Sequence, residues 1–571
     1  MYRIWILPFL AGLIVLSSCR PTPPSPSDEA PIPIVGQVED SAMVACSHPL
    51  AAEVGRDILF KGGNAIDAAV GVHFALAVTF PYAGNLGGGG FMVYRAADGT
   101  ATTLDFREKA PAKAHRDMYL DDMGEVVPEL SSRGPLAVGV PGSVDGMFEA
   151  HRRYGKLTWP ELIQPAIDLA RNGYAATQNQ AEWLNKLKED FEKYNPEGAY
   201  LVKENPWQSG DLVVQSDLAT SLERVRDGGR DGFYKGKTAQ LFVEEMERSG
   251  GWITASDLES YSSTWREPIR GTYKDYGVLS MGPPSSGGIL LVEMLNMVEE
   301  SPLQELGFQS RETAHLMVEA ERRAFADRAE FLGDPDYVTI PQAQLLSKAY
   351  AKARMADFNP KMAHSSDSIG PGPAREGSGE TTHYSIVDYY GNAVSITTTL
   401  NSAYGSRVWV KGAGFLLNNE MDDFSAKPGV PNQYGLVGNE ANAIAPGKRM
   451  LSSMTPTIFE KDNQLFMVVG TPGGSTIITS VFQAFLNVVE FDMTMQEAVD
   501  NKRFHHQWLP DVIRVEEGAF SPAVRTALQE MGHQLDEREP IGRVDAILIR
   551  ADGMLEGAAD HTRRDDTTAG F

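Results

Sequence analysis

Apolar residues recur at helical spacing in several stretches of the chain. Leu316, Met317, Ala320, Ala324 and Phe325 mark one helix, with Gly333 as its stop. Asn64 is placed to cap another, from Ala65 to about Val78, which is apolar on most faces and so reads as buried. Leu465–Val469 is a short apolar strand that runs into Gly470-Thr471-Pro472-Gly473-Gly474. A helix is expected from about Ser475, with Ile478, Val481, Phe482, Phe485 and Val489 on one face. Such a strand, glycine turn and helix start leave backbone N–H groups free, a place that attracts negative charge.

The pattern breaks at residues 362–380, which are polar, rich in Gly, Ser and Pro, and without periodicity. By itself this reads as a linker between domains. Beta-branched and aromatic residues then crowd into 381–388 and 393–400, separated by the turn signal Tyr389-Tyr390-Gly391-Asn392. The pair predicts a hairpin. A register centred on Tyr390 sets Thr381 directly opposite Thr399, with beta carbons about 4.5–5.5 Å apart. A slip of one residue destroys that pairing.

The 571 residues are 42% hydrophobic and 22% charged, the composition of an ordinary globular protein with ample length for a large core. The net charge of -25 argues against a nucleic-acid partner. Two cysteines, Cys19 and Cys46, exclude a disulfide framework. The apolar run Ile4–Leu16 after Arg3 reads as a secretory signal, and Leu16-Ser17-Ser18-Cys19 resembles a bacterial lipobox. Residues 1–18 are thus expected to be a lipoprotein signal peptide and Cys19 the lipidated residue. Residues 19–37, rich in Pro and Ser, would be a tether. The protein would then be exported to the periplasm or cell surface and touch the membrane only through its lipid. Cys46, in an apolar stretch, reads as a buried small hydrophobe.

Gly87–Gly90 is followed by Phe91-Met92 rather than Lys-Ser/Thr, so it is no phosphate loop, and close backbone packing is expected there. His505-His506 would face opposite sides of a strand and no carboxylate pattern accompanies them. Neither a metal nor a cofactor is expected. Thr381 offers different chemistry. As a new chain terminus, its alpha-amine, with a pKa of about 7.7–8.0, can serve as base for its own hydroxyl. The same hydroxyl can first attack the carbonyl of Glu380, and an N-to-O acyl shift followed by hydrolysis frees that amine.

Thr381-Thr382-His383-Tyr384-Ser385, Asn418-Asn419-Glu420-Met421-Asp422-Asp423-Phe424 and Pro472-Gly473-Gly474-Ser475 resemble the gamma-glutamyltransferase family. Asp105-Phe106-Arg107-Glu108, Leu451-Ser452-Ser453-Met454 and Phe504-His505-His506-Gln507-Trp508 agree, in the family's order. The resemblance implies an α+β fold, the four-layer αββα sandwich of N-terminal nucleophile hydrolases. It implies self-cleavage between Glu380 and Thr381 into a large subunit (38–380) and a small one (381–571), interleaved as a heterodimer. Thr381 would take the gamma-glutamyl group from glutathione or another gamma-glutamyl compound as an ester. Water, an amino acid or a peptide would then receive it. By the same resemblance Thr399 orients Thr381, and the N–H groups of Gly473 and Gly474 hold the oxyanion. Arg107, Ser452 and Ser453 bind the substrate carboxylate, and Asn401, Glu420 and Asp423 its ammonium. Residues 428–440 resemble a lid in which Tyr434 closes over the site and bonds Asn401. The alternatives are a glutaryl-amide (cephalosporin) acylase of the same superfamily, which needs no ammonium site, and a non-catalytic lipid-anchored binding protein.

Overall fold

A computed structural model describes residue 1 and residues 33–369, 381–563 and 565–571. Cys19, the signal peptide, most of the tether and Glu380 lie outside the described residues. The chain divides into residues 1–34 and a body from Val35 to Phe571. Residues 362–380 therefore do not separate two domains. Gln37, assigned to the tether from sequence, is already in an edge strand, Gln37–Glu39, paired with Leu555–Ala559.

Two seven-stranded sheets organise the body. The first runs, in spatial order, Gln37–Glu39, Leu555–Ala559, Asp545–Ile549, Gln464–Gly470, Thr457–Lys461, Tyr276–Ser280 and Ile269–Tyr273. The second runs Thr567–Gly570, Met43–Cys46, Thr382–Val387, Ala393–Thr399, Gly89–Arg95, Ala101–Phe106 and Thr264–Arg266. Met43, Ala45, Phe91, Val93, Ile458, Val468 and Ile547 fill the space between them. Helices Pro49–Phe60, Ala65–Thr79 and Trp159–Asn172 share an apolar core with the second sheet. Gly287–Val298, Arg311–Phe331 and Ile477–Phe491 do the same for the first. The result is the αββα layering that the resemblance implied. Both sheets mix strands from before residue 370 with strands from after residue 380, so the two parts share their cores.

The expected hairpin forms in the expected register. Thr382 pairs with Thr398, Ser385 with Ser395 and Val387 with Ala393, which sets Thr381 opposite Thr399. Its turn is built on the buried Asp388. That carboxylate accepts from the N–H groups of Tyr390 and Asn392, both at 2.9 Å, and from the Asn392 side chain at 2.8 Å. It also accepts from Ala65 N–H at 2.8 Å, tying the turn to the start of helix Ala65–Thr79. Asn64 caps that helix, with Asp67 returning a bond to the Asn64 N–H at 3.0 Å. All of its residues are buried, as an apolar helix without a polar face requires. Cys46 is also fully buried, and burial pushes its thiol pKa far up, so it packs as a hydrophobe.

The four glycines allow two backbones to close on the strand of Thr399. A beta carbon on Gly88 would lie 2.0 Å from the Thr399 carbonyl oxygen, and one on Gly90 2.4 Å from that of Thr397. Gly88→Ala is therefore expected to destabilise the fold by about 1–3 kcal/mol, read as a lower urea midpoint. Gly228→Ala, where an added beta carbon meets nothing within 4 Å, is the control and should leave the midpoint unchanged or higher.

Candidate active site

The end of the hairpin opens into a small cavity. Its walls include Thr381, Thr399, Arg107, Asn401, Glu420, Asp423, Tyr434, Ser452, Ser453 and Gly474. The segments that sequence singled out, scattered over more than 360 positions, thus meet at one place. Gly473 stands beside it at φ +137 and Gly474 at φ +58, conformations that favour glycine. They open a 3-10 turn, Gly474–Thr476, that leads into helix Ile477–Phe491. The first N–H groups of such a turn have no partner within it.

Thr381 is 5% exposed, and its hydroxyl lies 3.5 Å from that of Thr399. The Thr399 hydroxyl accepts from Asn401 N–H at 2.7 Å, and the Thr399 carbonyl from the Asn85 side chain at 2.9 Å. Ser143 donates to Asn85 Oδ1 at 2.6 Å and fixes that amide's orientation. Asn401 itself takes φ +75 at the strand's end, where its side chain donates to Asn419 O at 2.9 Å.

Arg107 is fully buried and bridges the two substrate-binding sets expected from sequence. Its guanidinium bonds Glu420, and it reaches Asp423 Oδ2 at 2.5 Å. Burial alone would lower its pKa, but Glu420, Asp423 and Glu108 outweigh that and hold it above the ordinary value. Burial pushes Glu420 well above the usual carboxylate range, against the pull of Arg107. Asp423 is raised for the same reason, and Glu108, beside Arg107, is pushed up to about 8. One cation and two acids packed in contact suit a ligand that carries both charges.

Ser452 and Ser453 sit on a segment pinned to the turn before helix Gly287–Val298. Ser452 N–H donates to Pro284 O at 2.8 Å, and Ser286 N–H to Ser452 O at 2.9 Å. Tyr434 is buried, and its hydroxyl bonds the Asn401 side chain and, at 2.9 Å, the Asn401 carbonyl. Gln507 holds the Tyr434 carbonyl at 3.1 Å. Tyr434 and Leu436, of the segment that resembles a lid, thus form part of the cavity wall.

His505 and His506 bond different partners, Thr479 at 2.8 Å and Asp511 at 3.2 Å. Elsewhere His315, Glu319 and His533 lie close enough to share a metal ion. Glu319 already accepts from Arg323 at 2.6 Å and Arg322 at 3.3 Å, and two guanidiniums disfavour a cation there.

Residues 51–570 match the family model described as Gamma-glutamyltranspeptidase. The chain belongs to the gamma-glutamyltranspeptidase family. It is 45% identical to the glutathione hydrolase proenzyme of Escherichia coli (strain K12), over 100% of this chain and 99% of that protein. It is 48% identical to the glutathione hydrolase proenzyme of Pseudomonas sp. (strain A14), over 90% of each. Among solved structures, the cephalosporin acylase from Bacillus halodurans superposes with a TM-score of 0.84 at 27% identity, covering 95% of this chain and 98% of that one.

Sequence reasoning missed Asn85 and Arg328, the second of which donates to Ser453 Oγ at 3.4 Å. Asn85 lies two residues before the glycine run and drew no notice beside it. Arg328 lies on a helix marked only by its apolar residues, yet Glu319, Glu321, Arg322, Arg323 and Arg328 of that helix are buried as well.

Tyr434→Phe removes the donor that two Asn401 oxygens share. It is expected to cost about 1 kcal/mol. Limited proteolysis should then cut residues 428–440 faster than in the unaltered protein, and equal rates would mean that the bond does not hold the lid.

Proposed function

We propose that this member of the family is a self-processing gamma-glutamyltransferase and glutathione hydrolase whose nucleophile is Thr381. The observation that carries the assignment is the pairing of Thr381 with Thr399 at the mouth of a cavity lined by Arg107, Glu420 and Asp423. Self-cleavage between Glu380 and Thr381 frees the alpha-amine. That amine takes the hydroxyl proton as the hydroxyl oxygen attacks the gamma-carbonyl carbon of the substrate. Negative charge gathers on the carbonyl oxygen, and the N–H groups of Gly473 and Gly474 receive it. The leaving amine departs with the proton, and a gamma-glutamyl ester remains on Thr381. Attack by water releases glutamate, whereas attack by an amino acid or peptide amine gives a new gamma-glutamyl amide.

The alpha-carboxylate of the glutamyl group is assigned to Arg107, Ser452 and Ser453. Its alpha-ammonium is assigned to Asn401, Glu420 and Asp423. In this reading the substrate inserts both charges into the Arg107–acid cluster and replaces one set of ion pairs with another. An acylase acting on glutaryl amides binds no ammonium and has no use for two acids around one buried arginine. The full-length relatives at 45–48% identity favour the glutathione reading over the acylase one.

Two experiments test this. Purified protein should release anilide from gamma-glutamyl-anilide and not from glutaryl-anilide, and Thr381→Ala should abolish both release and self-cleavage. A preference for the glutaryl compound would move the assignment to an acylase. Because the free amine must be neutral to act as base, kcat/KM should rise with pH and level off above an apparent pKa of about 7.7–8.0. We further propose that Cys19 carries a lipid that holds the enzyme at a membrane outside the cytoplasm, as the lipobox-like sequence supports. Cys19→Ser should move the activity from the membrane fraction to the soluble one. Unchanged fractionation would overturn the anchor.

A further inference from the structure

Helix Arg311–Phe331 brings a second guanidinium, Arg328, behind the cavity wall, against Ser453. Arg328 is 5% exposed, and among the described residues it forms no ion pair. Its Nε donates to Ser286 Oγ at 3.0 Å and its Nη2 to Ser453 Oγ at 3.4 Å. Burial lowers its pKa to about 10, against the attraction of Asp423, so it stays charged at neutral pH. A buried cation satisfied only by neutral hydroxyls is costly, and an anion nearby relieves that cost.

The hydroxyls beside it have a fixed polarity. A serine hydroxyl has one proton to give and two lone pairs to receive. The Ser286 hydroxyl receives from Arg328 and gives its proton to Ser452 O at 2.8 Å, which holds the Ser452–Ser453 segment in place. The Ser453 hydroxyl receives from Arg328, so its proton is directed away from the guanidinium. The Ser452 hydroxyl receives from Met454 N–H at 3.1 Å. Ser452 and Ser453 both line the cavity, each with an N–H donor on its oxygen and a proton left to give. A carboxylate can receive both protons. Arg107, assigned to the same carboxylate, is also engaged by Glu420 and Asp423, whereas Arg328 forms no ion pair among the described residues.

We propose that Arg328 is a positioning and specificity residue: it holds Ser453 as a hydrogen-bond donor and adds positive potential where the alpha-carboxylate binds. The enzyme thereby selects donors that keep a free alpha-carboxylate. This rests on the functional reading above, and the unaltered enzyme tests that reading first. If it fails on gamma-glutamyl-anilide, the function is wrong whatever Arg328 does.

The test compares gamma-glutamyl-anilide with 4-aminobutanoyl-anilide, which keeps the amine and lacks the carboxylate. Competitive inhibition by glutamate and by 4-aminobutanoate gives the same comparison if turnover of the second anilide is slow. Arg328→Gln should raise KM for the gamma-glutamyl donor about tenfold or more, while kcat stays within about threefold. Its KM for the aminobutanoyl compound, or inhibition by 4-aminobutanoate, should stay unchanged. Arg328→Lys should recover part of the loss. Equal losses with both ligands would show a structural role only, and no loss with either would show an idle residue. Either result overturns the proposal. Self-cleavage on a denaturing gel checks folding. If Arg328→Gln does not fold, Ser286→Ala, which removes one anchor of the guanidinium, should shift the same ligand ratio in the same direction.

Discussion

A one-residue slip between strands Thr382–Val387 and Ala393–Thr399 would turn Thr399 to the other face of its sheet, because side chains alternate along a strand. The hydrogen bonds of this hairpin therefore set a distance as well as a stability. Asp388 fixes the turn from the inside, and Asn85 fixes the far end by holding the Thr399 carbonyl. Between these two ends the glycines of strand Gly89–Arg95 let the neighbouring backbone approach without displacing the pair. Asn401 can then leave the strand at positive φ and return its N–H to the Thr399 hydroxyl. The geometry at Thr381 is thus the sum of restraints spread over residues 64–401, none of them at the cavity mouth alone.

The second constraint is electrostatic. Around the cavity lie two buried guanidiniums, Arg107 and Arg328, the buried carboxyls of Glu108 and Glu420, and the largely buried one of Asp423, in an interior that solvates charge poorly. Their raised carboxyl pKa values express that cost. Arg107 offsets it for the acids it touches, whereas Arg328 is hydrogen-bonded to hydroxyls and feels Asp423 only at a distance. Replacing such groups by apolar ones is often neutral or stabilising, so the cluster is not what holds the fold together.

Much of this was legible in the sequence because it depends on local periodicity. The hairpin register, the Asn64 cap, the buried helix after it and the glycine turn before helix Ile477–Phe491 all follow from residue type and spacing. The layering and the grouping of Arg107 with Ser452 and Glu420 were legible only through the family resemblance, since no local rule brings residues hundreds of positions apart into contact. What stayed hidden was the role of polar residues on wholly buried helices. Periodicity of apolar residues locates a helix, but when every face is covered it no longer tells which polar side chain points at the site. Arg328, which bonds Ser453, lies on such a helix, as does Glu321, which accepts from His506 N–H at 2.8 Å in the interior. The polar stretch 362–380 misled in the opposite sense. Its composition is that of a linker, yet the strands on its two sides belong to the same sheets.

That interleaving bears on what a cut before Thr381 can do. Strand Thr382–Val387 lies between Met43–Cys46 and Ala393–Thr399, and Ala393–Thr399 lies in turn against Gly89–Arg95. In the other sheet, Thr457–Lys461 is hydrogen-bonded to Tyr276–Ser280. Releasing the part that begins at Thr381 would break both sheets along their interior and expose the apolar layer between them. The cost of that exposure scales with the whole core rather than with one peptide bond. A chain built this way can lose a backbone link before Thr381 and keep the position of that threonine, because neighbouring strands restrain the hairpin that carries it.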